Sequence, residues 1–161
     1  HLDRVASLGL QVPLIGGANV SRGVSLARLP IIGKLLARFY AIPAIIDRGE
    51  SFSPETEAGR ALMAHFKGQF AVKGTERMMT QMITGDALSD RMEDHRAIAA
   101  AGIPVHFAYA EDDPEIPAAQ VKAAIAVYDN ADAHEFTGGH FFSYGRADEL
   151  AALYAGFIGG R

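Results

Sequence analysis

Two turns in the last third of the chain carry the residue types of a proton-transfer pair. The mostly apolar run from Ile103 to Tyr109 breaks into Ala110-Glu111-Asp112-Asp113-Pro114-Glu115-Ile116-Pro117. A second, shorter strand-like stretch breaks into Thr137-Gly138-Gly139-His140. Each turn places one titratable side chain where a strand ends. An acid followed by a histidine, both on loops after strands, is the supporting half of a hydrolytic triad. The acid orients and charges the imidazole, and the imidazole takes a proton from a nucleophile. Asp113 and His140 are the candidate catalytic residues, and Asp112 is the rival acid. The simpler reading of Asp113 is a turn-starter that caps the following helix, as Asp before Pro commonly does. His140 in the matching position favours the catalytic reading. The preceding glycines permit close backbone approach, and the aromatics after it, Phe141 first, can wall a pocket.

The other titratable residues offer less. His1 is terminal, His65 and His95 fall on helices, and His106 and His134 fall within strands. None pairs with another histidine or acid at the spacing of a sequence-readable metal site, so no metal is expected. Gly16-Gly17 is too short for a dinucleotide fingerprint, and Gly33-Lys34 lacks the earlier glycine of a phosphate loop. Met78, Met79 and Met82 read as the core of a helix. The sharper alternative places Met79 and Met82 on a substrate-facing surface, because methionine adapts to varied apolar ligands.

These residues must be held by an α/β framework. The chain of 161 residues is long enough for a domain with its own core, and 49% hydrophobic with 21% charged residues is ordinary for a globular protein. Three buried strands are predicted, at about Val5 to Val12, Val105 to Tyr109 and His134 to Phe136. Short apolar runs without clean alternation suit strands covered on both faces of a parallel sheet. Helices are predicted over residues 24 to 41, from a Ser53-Pro54-Glu55 start to Gly68, from Thr75 to Gly85, up to Ala101, and over Ala118 to Tyr128 and Ala147 to Ile158. The last third thus alternates helix, strand, helix, strand, helix, which implies parallel crossovers and a layered α/β architecture. Chemistry in such sheets sits on loops at the carboxyl ends of strands.

A formal net charge of −4 argues against nucleic acid as the main partner. The longest apolar stretch, Leu29 to Ile46, is interrupted by Pro30, Lys34, Arg38 and Pro43, short of the roughly 18 clean residues a membrane span needs. There is no cysteine, which excludes disulfides and thiolate metal sites. Such a chain suits the cytoplasm, although secreted chains lack cysteine too.

Residues 96 to 160 resemble the C-terminal third of the α/β-hydrolase superfamily. Ile103-Pro104-Val105 through Asp113-Pro114-Glu115-Ile116-Pro117 is similar to the strand and turn that deliver the triad acid. Thr137-Gly138-Gly139-His140 is similar to the turn that delivers the triad histidine. The separation of 27 residues from Asp113 to His140 leaves room for one helix and one strand. Asp3-Arg4-Val5-Ala6-Ser7-Leu8-Gly9-Leu10 is similar to the strand preceding a cap insertion. The resemblance implies a C-terminal part of an α/β-hydrolase parallel sheet, made of residues 1–13 and 93–161, with an inserted helical cap over 14–92. It implies a hydrolase acting without a cofactor on an ester or similar small apolar acyl substrate. The family's Gly-x-Ser-x-Gly elbow is missing. The nearest segment, Asn19-Val20-Ser21-Arg22-Gly23, has Asn in place of the first Gly. The expectation is therefore a portion of a longer protein whose N-terminal half carries the nucleophile, the isolated chain being inactive. A dehalogenase or epoxide hydrolase with an Asp nucleophile, or a non-catalytic binding or scaffold module with a degenerate hydrolase fold, are the alternatives.

Overall fold

The structure, a computed structural model, describes residues 1–17, 29, 32–52 and 55–160. It divides into two compact units, one of His1–Ala18 with Asp90–Arg161 and one of Asn19–Ser89.

The first unit is built on three strands: β1 (Leu8–Gln11), β2 (Val105–Ala110) and β3 (Asp132–Phe136). They pair in the order β1-β2-β3, all parallel, with Leu8 opposite Val105 and His106 opposite Asp132. All six residues of β2 are buried. A central parallel strand has both faces covered, which is why its sequence reads as nearly continuous apolar character. Alternate residues then serve opposite faces. Val105, Phe107 and Tyr109 join Ile15, Ile116, Val121 and Ala124 in one core, against the helices α5 (Met92–Ala100) and α6 (Ala118–Ile125). Ala108 and Ala110 join Phe136 and Phe142 on the other face, under Leu150 and Leu153 of α7 (Ala147–Gly159). Small residues on this face let α7 come close. A Cβ on Gly9 would stand 1.1 Å from the Tyr154 hydroxyl, so the ring of Tyr154 lies directly over that backbone.

β1 is shorter than predicted. Leu2–Arg4 forms a single 3₁₀ turn, and pairing with β2 begins only at Leu8. β3 is longer, starting at Asp132, because its first residues are half-exposed and polar and carry no apolar signal.

The second unit is helical. α1 (Gly33–Leu36) runs through a π-helical turn, Ala37–Ala41, into α2 (Ile42–Phe52). The helical run thus passes the predicted end at residue 41 and continues through Pro43. Proline lacks the N–H that the preceding turn needs and its ring crowds the carbonyl four residues back; the widened π turn accommodates both. α3 (Glu57–Gln69) is capped by Thr56, whose hydroxyl oxygen accepts the Gly59 N–H at 3.0 Å. The predicted cap, Ser53 with Pro54, lies outside the described residues. The helix also passes Gly68 before ending. α4 (Thr75–Thr84) completes the unit. Ala37, Ala41, Ile42 and Ile83 form its core, with Phe70 and Met79 packed against them. Arg38 pairs with Glu76 at 2.9 Å, and Lys67 with Glu50.

Candidate active site

β2 and β3 are neighbours and parallel, so the loops leaving their carboxyl ends emerge side by side. The Glu111 N–H extends the contact past β2 by donating to the Phe136 carbonyl at 2.9 Å. The structure brings Asp113 and His140 together in these loops. The His140 Nδ1 lies 3.0 Å from Asp113 Oδ2 and 3.2 Å from Oδ1. The Asp113 side chain is 1% exposed and that of His140 is 29% exposed. Asp113 Oδ1 also accepts the N–H groups of Glu115 at 2.7 Å and Ile116 at 3.0 Å. The Asx-type turn predicted from Asp-Pro therefore exists, and the same carboxylate faces the imidazole. A buried carboxylate needs such partners, because an unpaired charge away from water is costly. Three donors converge on it, and their directions fix which way it points.

With Nδ1 donating to the carboxylate, the other ring nitrogen, Nε2, is left to take a proton. An imidazole held in this way can accept a proton at Nε2 from a neighbouring group.

Asp112 does different work. Its carboxylate accepts the Gly138 N–H, at 3.0 and 3.2 Å to its two oxygens, and the Gly139 N–H at 3.0 Å. Gly138 and Gly139 have φ of +115° and +67°. Glycine adopts these left-handed φ values freely, and the turn they make aims both N–H groups at the Asp112 carboxylate. The Gly139 and then the Gly138 amide hold the Asp112 carboxyl below the usual carboxylate range, with Arg146 adding a lesser contribution. The rival acid of the sequence thus ties down the backbone that presents His140 and does not reach the ring.

Further contacts brace the same loop. Phe142 is buried and stacks on Phe136 with ring centroids 4.8 Å apart. Arg146 donates to the Thr137 carbonyl at 3.2 Å. Phe141 meets the His140 ring edge-to-face at 5.3 Å. Met79 and Met82 lie on α4 of the other unit, Met79 packed against that unit's core. Ser21 lies outside the described residues.

His106 and His134 do have partners: Asp132 bridges them, 2.7 Å from His106 Nδ1 and 2.9 Å from His134 Nε2. Asp132 and His134 are two apart on one strand face, a period-two signal hidden when β3 is started at His134.

No protein-family model and no curated protein sequence matches the chain. Solved structures do. An enol-lactonase from Burkholderia xenovorans superposes with a TM-score of 0.72 at 19% identity, over 98% of this chain and 58% of that one. A thermophilic esterase from Thermogutta terrifontis gives 0.69 at 12% identity, over 98% and 57%. A serine hydrolase from Cycloclasticus zankles gives 0.61 at 17% identity, over 99% and 57%. The fold is that of the α/β hydrolases. The chain spans less than two thirds of these structures' length, and its three parallel strands match the expected C-terminal part of the α/β-hydrolase sheet. Asp113 and His140 sit at the carboxyl edge of that sheet, where open α/β sheets bind ligands. Among the described residues, no helix is long and apolar enough to cross a membrane.

Proposed function

We propose that this chain is the acid–histidine half of an α/β hydrolase that cleaves an ester or similar acyl substrate. The observation that carries the reading is the buried Asp113 carboxylate 3.0 Å from His140 Nδ1, with Nε2 left for proton transfer. In this reading His140 removes the proton from an attacking serine and returns it to the leaving group. Asp113 holds the ring's tautomer and stabilises the imidazolium. The serine is supplied by a segment outside the 161 residues, and the protein's N-terminal half is thus the essential partner. Two observations support this: no Gly-x-Ser-x-Gly elbow occurs in the sequence, and the matched esterase is covered over only 57% of its length. The helical unit inserted in the chain between β1 and β2 supports the assignment of residues 14–92 as a cap. Phe141, edge-to-face against the imidazole, would line the path of a small apolar acyl group. No step of this chemistry needs a cofactor.

The test is hydrolysis of a short-chain activated ester by the protein that carries this chain. Turnover should be present and should fall to background with His140→Ala. Retention of turnover in that variant would reject the reading.

A further inference from the structure

At the other end of the same strands, a second cluster of titratable side chains takes no part in the chemistry above. We propose that His106, Asp132 and His134 form a three-ligand site for a divalent transition-metal ion of the zinc class. Their ligand atoms, His106 Nδ1, an Asp132 carboxylate oxygen and His134 Nε2, all lie within 4.8 Å of one another. Two imidazole nitrogens and one carboxylate are the donor set that zinc accepts in sites that keep one position open.

The fold supplies these donors on a rigid frame. His106 of β2 stands directly opposite Asp132 of β3, and His134 follows two residues later on the same face. All three face the side of the sheet that α7 covers. The His106 ring is fully buried, with the Tyr154 and Phe157 ring centroids at 4.9 and 5.3 Å. The outer two ligands are reachable: the Asp132 and His134 side chains are 37% and 30% exposed and line a surface cavity of about 430 Å³ with Gly156 and Gly160. That cavity gives an ion its entry and a water or incoming group the fourth position.

Hydrogen bonding within the cluster leaves one group unanswered. At 2.7 Å from a carboxylate, a neutral His106 ring donates through Nδ1, which leaves Nε2 with a lone pair. His106 Nε2 is, among the described residues, the buried side-chain nitrogen or oxygen without any hydrogen-bond partner. An ion on Nδ1 reverses this state. The proton moves to Nε2, and an N–H replaces the lone pair beside aromatic rings, where it is weakly favourable. Bonds of about 2.0–2.2 Å to zinc set tetrahedral ligand separations of about 3.3 Å. At present His106 Nδ1 lies 2.7 Å from Asp132 Oδ2 and His134 Nε2 lies 2.9 Å from Asp132 Oδ1, so each nitrogen would open by about half an ångström from the carboxylate as the ion enters between them. The ion would staple β2 to β3 at the sheet end remote from His140. This proposal is independent of the hydrolase reading.

The probe is Zn²⁺ added to the metal-free chain, followed by calorimetry, with Co²⁺ absorption reporting a low coordination number. One ion per chain should bind. His134→Ala and Asp132→Ala should each weaken binding by more than the 10–100-fold, approximately, that loss of a group merely supporting a ligand produces. His140→Ala, which removes the other histidine–aspartate pair, should leave binding unchanged. Ring-nitrogen NMR of the unaltered chain gives a second readout that needs no variant: Zn²⁺ should move the resonances of His106 and His134 and not those of His140. Absence of saturable binding would overturn the proposal. So would binding that survives both Asp132→Ala and His134→Ala, or binding that depends on His140.

Discussion

Replacing Asp113 by Asn separates the two jobs its carboxylate holds. Both turn N–H groups, from Glu115 and Ile116, are accepted by Oδ1. The carbonyl oxygen of an Asn can take over that position, so the turn survives. The amide nitrogen then occupies the position of Oδ2, 3.0 Å from His140 Nδ1. It can only donate there. Nδ1 must therefore become the acceptor, and the ring proton moves to Nε2, the nitrogen that the proposed reaction needs bare. The expected loss is about 10⁴ in turnover, the size seen for this change in another triad, or about 5.4 kcal/mol at 1.36 kcal/mol per decade. The stability loss is smaller, about 1.5–3 kcal/mol for one hydrogen bond to a charged group. The assay is ring-nitrogen NMR of His140 in the chain, beside ester turnover in the protein that carries it. The unaltered chain should show the proton on Nδ1, and the Asn variant should show it on Nε2 with the fold intact. An Asn variant that keeps the proton on Nδ1, or that keeps its turnover, would show that the Asp113 carboxylate does not set the His140 tautomer.

Three further outcomes are expected. Asp112→Ala should speed hydrogen exchange at the Gly138 and Gly139 amides, which its carboxylate now accepts, and leave the Glu115 and Ile116 amides unchanged; equal exchange at all four sites would remove its assigned part in holding the loop. Phe142→Ala empties a stacked, buried position and should cost about 3–5 kcal/mol in urea unfolding, with a change under about 1 kcal/mol contradicting the packing described. Burial lowers the pKa of His95 below 6.5, with Asp94 opposing, so the folded state binds fewer protons there than the unfolded chain. Its contribution is therefore complete above pH 6.5 and is lost as pH falls below that value toward the folded pKa. Urea midpoints between pH 8 and 5 should show this decline, and His95→Gln should flatten it.

Much of this arrangement was legible because its signals are local. Pro114, Gly138 and Gly139 punctuate strand ends within a few residues, and the loops of β2 and β3 meet because neighbouring parallel strands deliver their carboxyl ends to one edge. What escaped depends on contacts between distant segments. Asp112 and Asp113 are indistinguishable as a dipeptide; only the meeting of two loops sends one carboxylate to the glycine amides and the other to the ring. Asp132 was hidden because a half-exposed Asp-Ala-His-Glu start has no apolar period, and its link to His106 exists only through cross-strand register. Pro43 marked a break by its chemistry, yet a π turn absorbs it. Thr56 caps α3 through its hydroxyl, a capping signal that stands beside the Ser53-Pro54 one in the sequence and is as good.

Whether His140 and Asp113 serve a serine from outside these 161 residues can be read from the site that a serine-reactive fluorophosphonate labels on the protein that carries this chain. One labelled serine should be found, outside these 161 residues, with labelling lost in His140→Ala. A label on Ser21, or labelling indifferent to His140, would contradict that role.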